Sequence, residues 1–316
     1  MSINFRKTAL ILFLFFLVGI PGSMWSQQDP MFSQYMHNGS AINPAYAGSR
    51  DALSLSLLYR QQWAGFTGAP TTQTFAAHLP AFQRRHGFGI SLVNDQISYL
   101  NQSWLSLDYA FRIPVGNGHL ALGLRATANQ YRIGWGKSEF KDQTDQVITN
   151  YGQSFLLPNA GFGIYYHAPR AYFGIAIPRL LVNSFSTSSP TITLDESLPG
   201  SLRRHYFATA GFVIKASESV QIKPSTLLKY VYAAPVQLDL NLNVYFNNRF
   251  GVGASYRTKD AIIGLLDYFI TPQLRVGYAY GYPITAINGY TSGSHELMLS
   301  YDFRFGKDGI ASPRLF

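Results

Sequence analysis

Apolar and polar residues alternate without error over several stretches of the chain. From residue 236 to 247 the even positions are Val236, Leu238, Leu240, Leu242, Val244 and Phe246, and the odd ones are Gln237, Asp239, Asn241, Asn243, Tyr245 and Asn247. Near the C-terminus Leu297, Leu299, Tyr301, Phe303 and Phe305 alternate with Glu296, Met298, Ser300, Asp302 and Arg304. Residues 103–113 repeat the pattern, with Leu105, Leu107, Tyr109, Phe111 and Ile113 against Ser106, Asp108, Ala110 and Arg112. Successive side chains on a strand point to opposite faces, so each stretch has one wholly apolar face. About fourteen such segments lie between residues 52 and 305. Short connections rich in Asn, Gly, Pro or Ser are expected around 81–85, 116–118, 168–170, 216–218, 247–248 and 271–272. Longer loops are expected at 131–155, 179–203 and 282–294.

Period-two strands serve both water-soluble sandwiches and membrane barrels, and the polar faces favour the barrel. They carry Arg60, Asp108, Arg112, Arg125, Lys223, Lys229, Asp239, Arg257, Asp267, Arg275, Glu296, Asp302 and Arg304, which need a wet interior if the apolar faces meet lipid. The segment length suits the ~9–11 residues with which a tilted barrel strand crosses a bilayer. Tyr59, Trp63, Trp104, Trp135, Tyr230, Tyr232, Tyr280 and Tyr282 sit at strand ends, where an interfacial girdle belongs. Closure leaves no unsatisfied backbone edge in hydrocarbon. The expected fold is therefore all-β: a transmembrane antiparallel up-and-down β-barrel of about fourteen strands occupying residues 51–305, with residues 306–316 as a C-terminal periplasmic tail.

Charged residues make up only 13% of the 316, against 47% hydrophobic, which excludes a disordered chain. There is no Cys, so disulfides, thiolate metal sites and Cys nucleophiles are excluded. Residues 1–26 read as a secretory signal peptide. Arg6 and Lys7 precede an apolar run from Ala9 to Ile20, Pro21 and Gly22 break it, and Ser26 offers a small residue before cleavage. Fourteen strands enclose more space than wall side chains fill, since ~8 is the number that packs solid. Residues 27–50 are the candidate filler, a short N-terminal helical segment that plugs the lumen or caps its periplasmic mouth. Asp29 suits an N-cap, Pro30 the first helical position, and Met31–Asn38 two turns stopped by Gly39.

The N-terminal block contains Asp29, Pro30, Met31, Phe32, Ser33, Gln34 and Tyr35, then Asn43-Pro44-Ala45-Tyr46-Ala47-Gly48, then Arg60, Gln61, Gln62 and Trp63. With Gly293-Ser294-His295-Glu296-Leu297 and the terminal Ser312-Pro313-Arg314-Leu315-Phe316, it resembles the PorP/SprF family of outer-membrane proteins linked to type IX secretion and gliding motility. The resemblance implies an integral barrel of the Gram-negative outer membrane. It also implies partners: a secreted, adhesin-like surface protein at the extracellular mouth and type IX secretion components on the periplasmic side. Outer-membrane lipid or lipopolysaccharide surrounds such a barrel. The family supplies no catalytic residues.

No chemistry is expected from the remaining motifs. The seven His residues lack metal-ligand spacing. Gly87-Phe88-Gly89, Gly161-Phe162-Gly163 and Gly251-Val252-Gly253 lack the third glycine and helix of a nucleotide loop and read as strand glycines. No cofactor, metal or enzymatic activity is expected. The net charge of +9 is spread singly along strands, unlike a nucleic-acid-binding tract. The functional expectation is a non-enzymatic barrel that supports secretion or surface anchoring of a specific partner. The alternative is a porin or FadL-like transporter of small or hydrophobic solutes.

Overall fold

The computed structural model describes residues 30–134, 154–184, 190–196 and 202–303. The leader 1–26, Asp29, Trp135, Arg304 and the tail 306–316 lie outside them. Fourteen strands form one closed antiparallel barrel. In chain order they are β1 (Leu53–Gln61), β2 (Thr71–Ala81), β3 (His86–Ile97), β4 (Leu100–Val115), β5 (Gly118–Ile133), β6 (Ser154–Ala168) and β7 (Ala171–Ile177). The second half comprises β8 (His205–Phe212), β9 (Val220–Val231), β10 (Gln237–Phe246), β11 (Phe250–Arg257), β12 (Ala261–Phe269), β13 (Leu274–Pro283) and β14 (Ser294–Phe303). Neighbours in sequence pair throughout, and β1 with β14 closes the ring. Every strand thus has a hydrogen-bonded neighbour on both sides, as crossing hydrocarbon requires.

The burial pattern is inverted relative to a water-soluble protein. On β10 the carboxylate of Asp239 is buried, at 1% exposure, while the adjacent Leu240 is 51% exposed. Strand β12 alternates the same way over its whole length. The polar row therefore faces the lumen and the apolar row faces the membrane. Trp104 departs from its expected place in the girdle. It shares parity with the inward-facing Gln102, Ser106 and Asp108, and it lines the lumen beside Arg179, whose guanidinium carbon lies 4.9 Å from the ring centroid. The aromatic was legible; its parity within an unusually long strand of 16 residues decided the face.

Connections 82–85, 116–117, 169–170, 247–249 and 270–273 are short and lie at one end, the periplasmic end by the habit of outer-membrane barrels. Loop 62–70 and the segments after β5, β7 and β13 lie at the other, extracellular end. The first and last of the expected loops are shorter than read, because β5 runs on to Ile133, β6 starts at Ser154 and β13 reaches Pro283. A short hairpin, Val182–Ser184 with Thr191–Thr193, forms inside the segment expected to be a plain loop. The segment read as one strand over 204–215 is interrupted at Val213 and resumes at Ile214–Lys215. Pro224, which faces Phe212 in that register, has no N–H to give.

Residues 30–51 lie within the barrel. The expected helix over Met31–Asn38 is a run of turns instead. His37 N–H donates to Gln34 O at 3.0 Å and Asn38 N–H to Tyr35 O at 3.2 Å, both three residues back. The helical turn α1 spans Gly39–Ile42 and so begins where a stop was expected. Eight residues carry too little helical propensity to hold a helix alone, and contacts with the wall set their path. Phe32, Tyr35, Met36 and Ile42 pack on the inward-facing Leu58 and Leu227, forming an apolar cluster inside an otherwise polar lumen.

Candidate functional site

The site is the seat of this internal segment. Its lower part, Asn43–Gly48, crosses β3 to β7 along a row of small residues. Gly87 is in register with Ala110, Ala110 with Gly123, Gly123 with Gly163, and Gly163 with Ala176. A Cβ at Gly123 would overlap the backbone nitrogen and Cα of Ala45, and one at Gly87 would overlap the carbonyl of Ala47. Small side chains therefore let backbone lie directly on backbone. Asn43 fixes the crossing. Its Nδ2 donates to Ile164 O at 2.9 Å and Ile175 O at 3.3 Å, while its Oδ1 accepts from Ala45 N–H at 2.9 Å. Pro44 opens a short 3-10 turn. Tyr46 sets its ring edge-on to His78 and Tyr165 at centroid distances of 5.3 and 5.4 Å. Gly48 adopts φ +73°, and its N–H donates to His78 Nδ1 at 3.2 Å.

The upper part is held by charges. Arg60 and Glu296 face each other on β1 and β14, with Arg60 Nη1 3.1 Å from Glu296 Oε2. The same carboxylate accepts the N–H groups of Ser33 and Gln34, each at 2.8 Å, and Arg60 donates to Ser33 Oγ at 2.8 Å. Arg257 holds Asp239 through two nitrogens and donates to Phe32 O at 3.2 Å. Arg125 does likewise with Asp108, at 2.6 and 2.8 Å, and reaches the carbonyls of Ser40 and Ala41. Lys229 Nζ lies 3.0 Å from Met31 Sδ. Lower down, Arg50 pairs with Asp302 at 2.9 Å and Arg112 with Asp51 at 3.3 Å. Lys223 is buried 5.9 Å from the Tyr172 ring centroid. For Arg125 and Arg257 a carboxylate fixes the guanidinium across the wall, and a remaining donor then grips main-chain carbonyls of the segment.

His37 is clamped in the same way. Arg275 Nη1 donates to His37 Nδ1 at 2.8 Å, so the proton of the neutral ring sits on Nε2 and is donated to Asp267 Oδ2 at 3.1 Å. Tyr245 OH also donates to Asp267 Oδ2, at 3.1 Å. Burial, and then the Arg275 charge, push the imidazole from 6.5 down to about 3. Outside the clamp the ring takes up a proton near 6.5, so this contribution is present above that pH and is lost as pH falls toward 3. Docking should weaken by about 2 kcal/mol, roughly thirtyfold, between pH 7.5 and pH 5. Limited proteolysis of residues 30–50 across that range checks it, and His37→Gln should flatten the dependence.

Twelve of the thirteen charges read from the sequence point into the lumen, eleven of them buried and Asp302 partly so; Arg304 lies outside the described residues. The structure brings the described part of the N-terminal motif, residues 30–48, onto them, and leaves out Gln62 and Trp63. Those two sit in loop 62–70, where Gln62 N–H donates to Pro70 O and Trp63 N–H to Ser294 Oγ. The pattern reading missed His37, Arg50 and Asp51 as clamp members and the inward Asp95, which accepts from Thr72 Oγ1 at 2.6 Å. Asp95 lies on the polar face of β3 and was legible there; the other three precede the first strand, where no period marks a face.

The profile of the family described as "Type IX secretion system membrane protein PorP/SprF" matches residues 25–301, which spans the whole lumenal segment and nearly all of the barrel. This chain belongs to the PorP/SprF family. A PorP/SprF barrel is an outer-membrane protein of the type IX secretion system. No curated protein matches the sequence. Among solved structures, the Acinetobacter baumannii outer membrane protein Omp33 is 12% identical, over 80% of this chain and 100% of its own, with a TM-score of 0.43. A Pseudomonas aeruginosa FadL homologue is 11% identical over 90% and 96%, with a TM-score of 0.46. A TodX mutant monoaromatic hydrocarbon channel is 8% identical over 89% and 96%, with a TM-score of 0.48.

Proposed function

We propose that this PorP/SprF barrel is a plugged, non-enzymatic scaffold that supports secretion or surface anchoring of one or few partner proteins, such as an adhesin. The observation that carries the reading is the occupied lumen. Residues 30–51 are tied to the wall by Arg60, Arg125, Arg257, Arg275 and Glu296 and fill the lumen, so among the described residues the barrel leaves no wide aqueous path. Binding then falls to the ends. Loops on a rigid scaffold are the usual place for it. Loop 62–70, the strand Thr191–Thr193 and the turn Ala286–Tyr290 present the extracellular surface for the secreted partner. The short periplasmic turns face the secretion machinery.

A strain lacking the protein should lose one or few proteins from its surface while bulk secretion continues. Normal display of every surface protein in that strain would overturn the proposal. Purified protein in planar bilayers separates this reading from the transport alternative. The scaffold reading expects a closed barrel, and steady ion conductance from the unaltered chain would support the porin or FadL-like one.

A further inference from the structure

The outer wall has two unlike sides. On the β10–β13 side, an outward row near the extracellular end runs Leu240, Tyr256, Ile262 and Tyr282, in register across four strands. It is apolar and aromatic, as a girdle requires. On the β1–β6 side the corresponding boundary is sharp and polar. One register row reads Leu57, Phe75, Leu92, Leu105 and Ala128. The next outward row, two residues closer to the outside, reads Tyr59, Gln73, Asn94, Ser103 and Gln130. Above it Arg132 is exposed beside Asn101.

These polar groups are organised. Asn101 and Ser103 both donate to Asn94 Oδ1, at 3.1 and 2.9 Å. Gln130 donates to Ser154 Oγ at 3.1 Å and accepts from Arg132 at 3.2 Å. Strands β4 to β6 have 16, 16 and 15 residues, well beyond the ~9–11 that cross hydrocarbon, and β3 has 12, so this row stands at the upper edge of the membrane. A depression of about 890 Å³ straddles the boundary, lined by both rows together with Leu297, Leu299 and Leu156. That volume lies in the range of ligand sites, roughly 300–1,000 Å³.

We propose that this depression seats a phosphorylated glycolipid of the outer leaflet, of the lipid A class. The apolar row takes acyl chains. The amide and hydroxyl row meets sugar hydroxyls, and the Arg132 guanidinium, with five N–H donors, meets a phosphate. The four groups from Gln73 to Gln130 sit on adjacent strands ~4.8 Å apart, a row about 14 Å wide. That width suits a disaccharide and exceeds a single phospholipid phosphate. A partner's membrane-spanning surface would be apolar over the full height and would leave the amide row unused.

Native mass spectrometry of full-length protein, extracted from its own outer membrane in mild detergent, reads the occupant directly. The wild type should carry a glycolipid-sized increment. In Asn94→Ala/Gln130→Ala/Arg132→Ala, occupancy should fall at least tenfold while the heat-dependent gel shift of a folded barrel is kept. Because the chain has no Cys, a fluorophore can be placed at Leu156→Cys beside the seat or at Ile262→Cys on the opposite wall. The first should respond to purified lipid A at a concentration at least tenfold below that of phosphatidylethanolamine, and the second should not discriminate. This labelled pair decides the question even if the triple variant does not fold. Equal occupancy in both proteins, equal response to both lipids, or a polypeptide increment in place of the lipid would overturn the proposal.

Discussion

Replacing Glu296 by Ala is expected to release the lumenal segment while leaving the barrel standing. The carboxylate is buried, at 1% exposure, and does three things at once. It neutralises Arg60 and accepts the amides of Ser33 and Gln34. Without it the Arg60 charge stays buried beside two amide N–H groups that have lost their acceptor. Removing one partner of a buried ion pair costs about 3–5 kcal/mol, because the other is left uncompensated in a poor solvent. About 4 kcal/mol corresponds to roughly a thousandfold shift in the docking equilibrium. The β1–β14 ladder is main-chain bonding over nine residue pairs and does not depend on the side chain. Proteolytic cleavage within residues 30–50 should therefore accelerate by about three orders of magnitude, while the heat-shifted gel band of the folded barrel persists. Glu218→Ala, which removes an exposed partner of Lys215, should change neither. Unchanged protection in the Glu296 variant would mean the clamp is not what holds the segment.

Gly123→Val is expected to expel the segment by a different route. Gly123 faces the lumen in the middle of β5, and the atoms that an added Cβ would meet are backbone: Ala45 N, Ala45 Cα and Pro44 C. A flexible side chain could swing away, but a main chain pinned by Asn43 on one side and Gly48 on the other has nowhere to go. Valine suits a strand better than glycine, so the wall itself is not weakened. The expected result is a folded barrel with an unseated segment, read as ion conductance that the wild type lacks. Gly264→Val is the matched control, since nothing lies within 4 Å of a Cβ placed there. Conductance equal in the two variants would show that small residues along Gly87, Ala110, Gly123 and Gly163 do not define the seat.

The two routes explain why one feature of the wall was readable from the chain and the other was not. A strand has a period of two, so each charged residue on β10, β13 or β14 announces its face through its neighbours. Asp239 between Leu238 and Leu240, or Glu296 next to Leu297, has only one wet direction to point. Register, however, depends on pairing between segments far apart in sequence. That Glu296 meets Arg60 and Gly123 meets Gly163 follows from hydrogen bonding across β1–β14 and β5–β6. Trp104 is a different case: its ring at a strand end suggested the girdle, yet it shares the parity of Ser106 and Asp108 and so faces inward, as the local alternation already implied.

The lumenal segment marks the boundary most clearly. Its residue types, Asp29-Pro30 followed by apolar positions and a glycine, predict a helix on local grounds. The main chain turns instead at Ser33 to Asn38, and α1 starts at Gly39. Local propensity over so few residues amounts to little, and clamps from Glu296, Arg257 and Arg275 outweigh it. The family block in the sequence thus marked where a specific structure is needed without indicating its shape.

What residue order alone settled is the membrane barrel: which side chains face lipid, which face inward, and roughly how many strands carry them. That information is local, because alternation repeats every two residues and needs no partner to be read. What only the assembled molecule settled is that the inward charges are a clamp closed on the chain's own N-terminal segment. The reason is physical: ion pairs and close backbone contacts form between residues tens to hundreds of positions apart, and distance along the chain says nothing about them until the strands are paired.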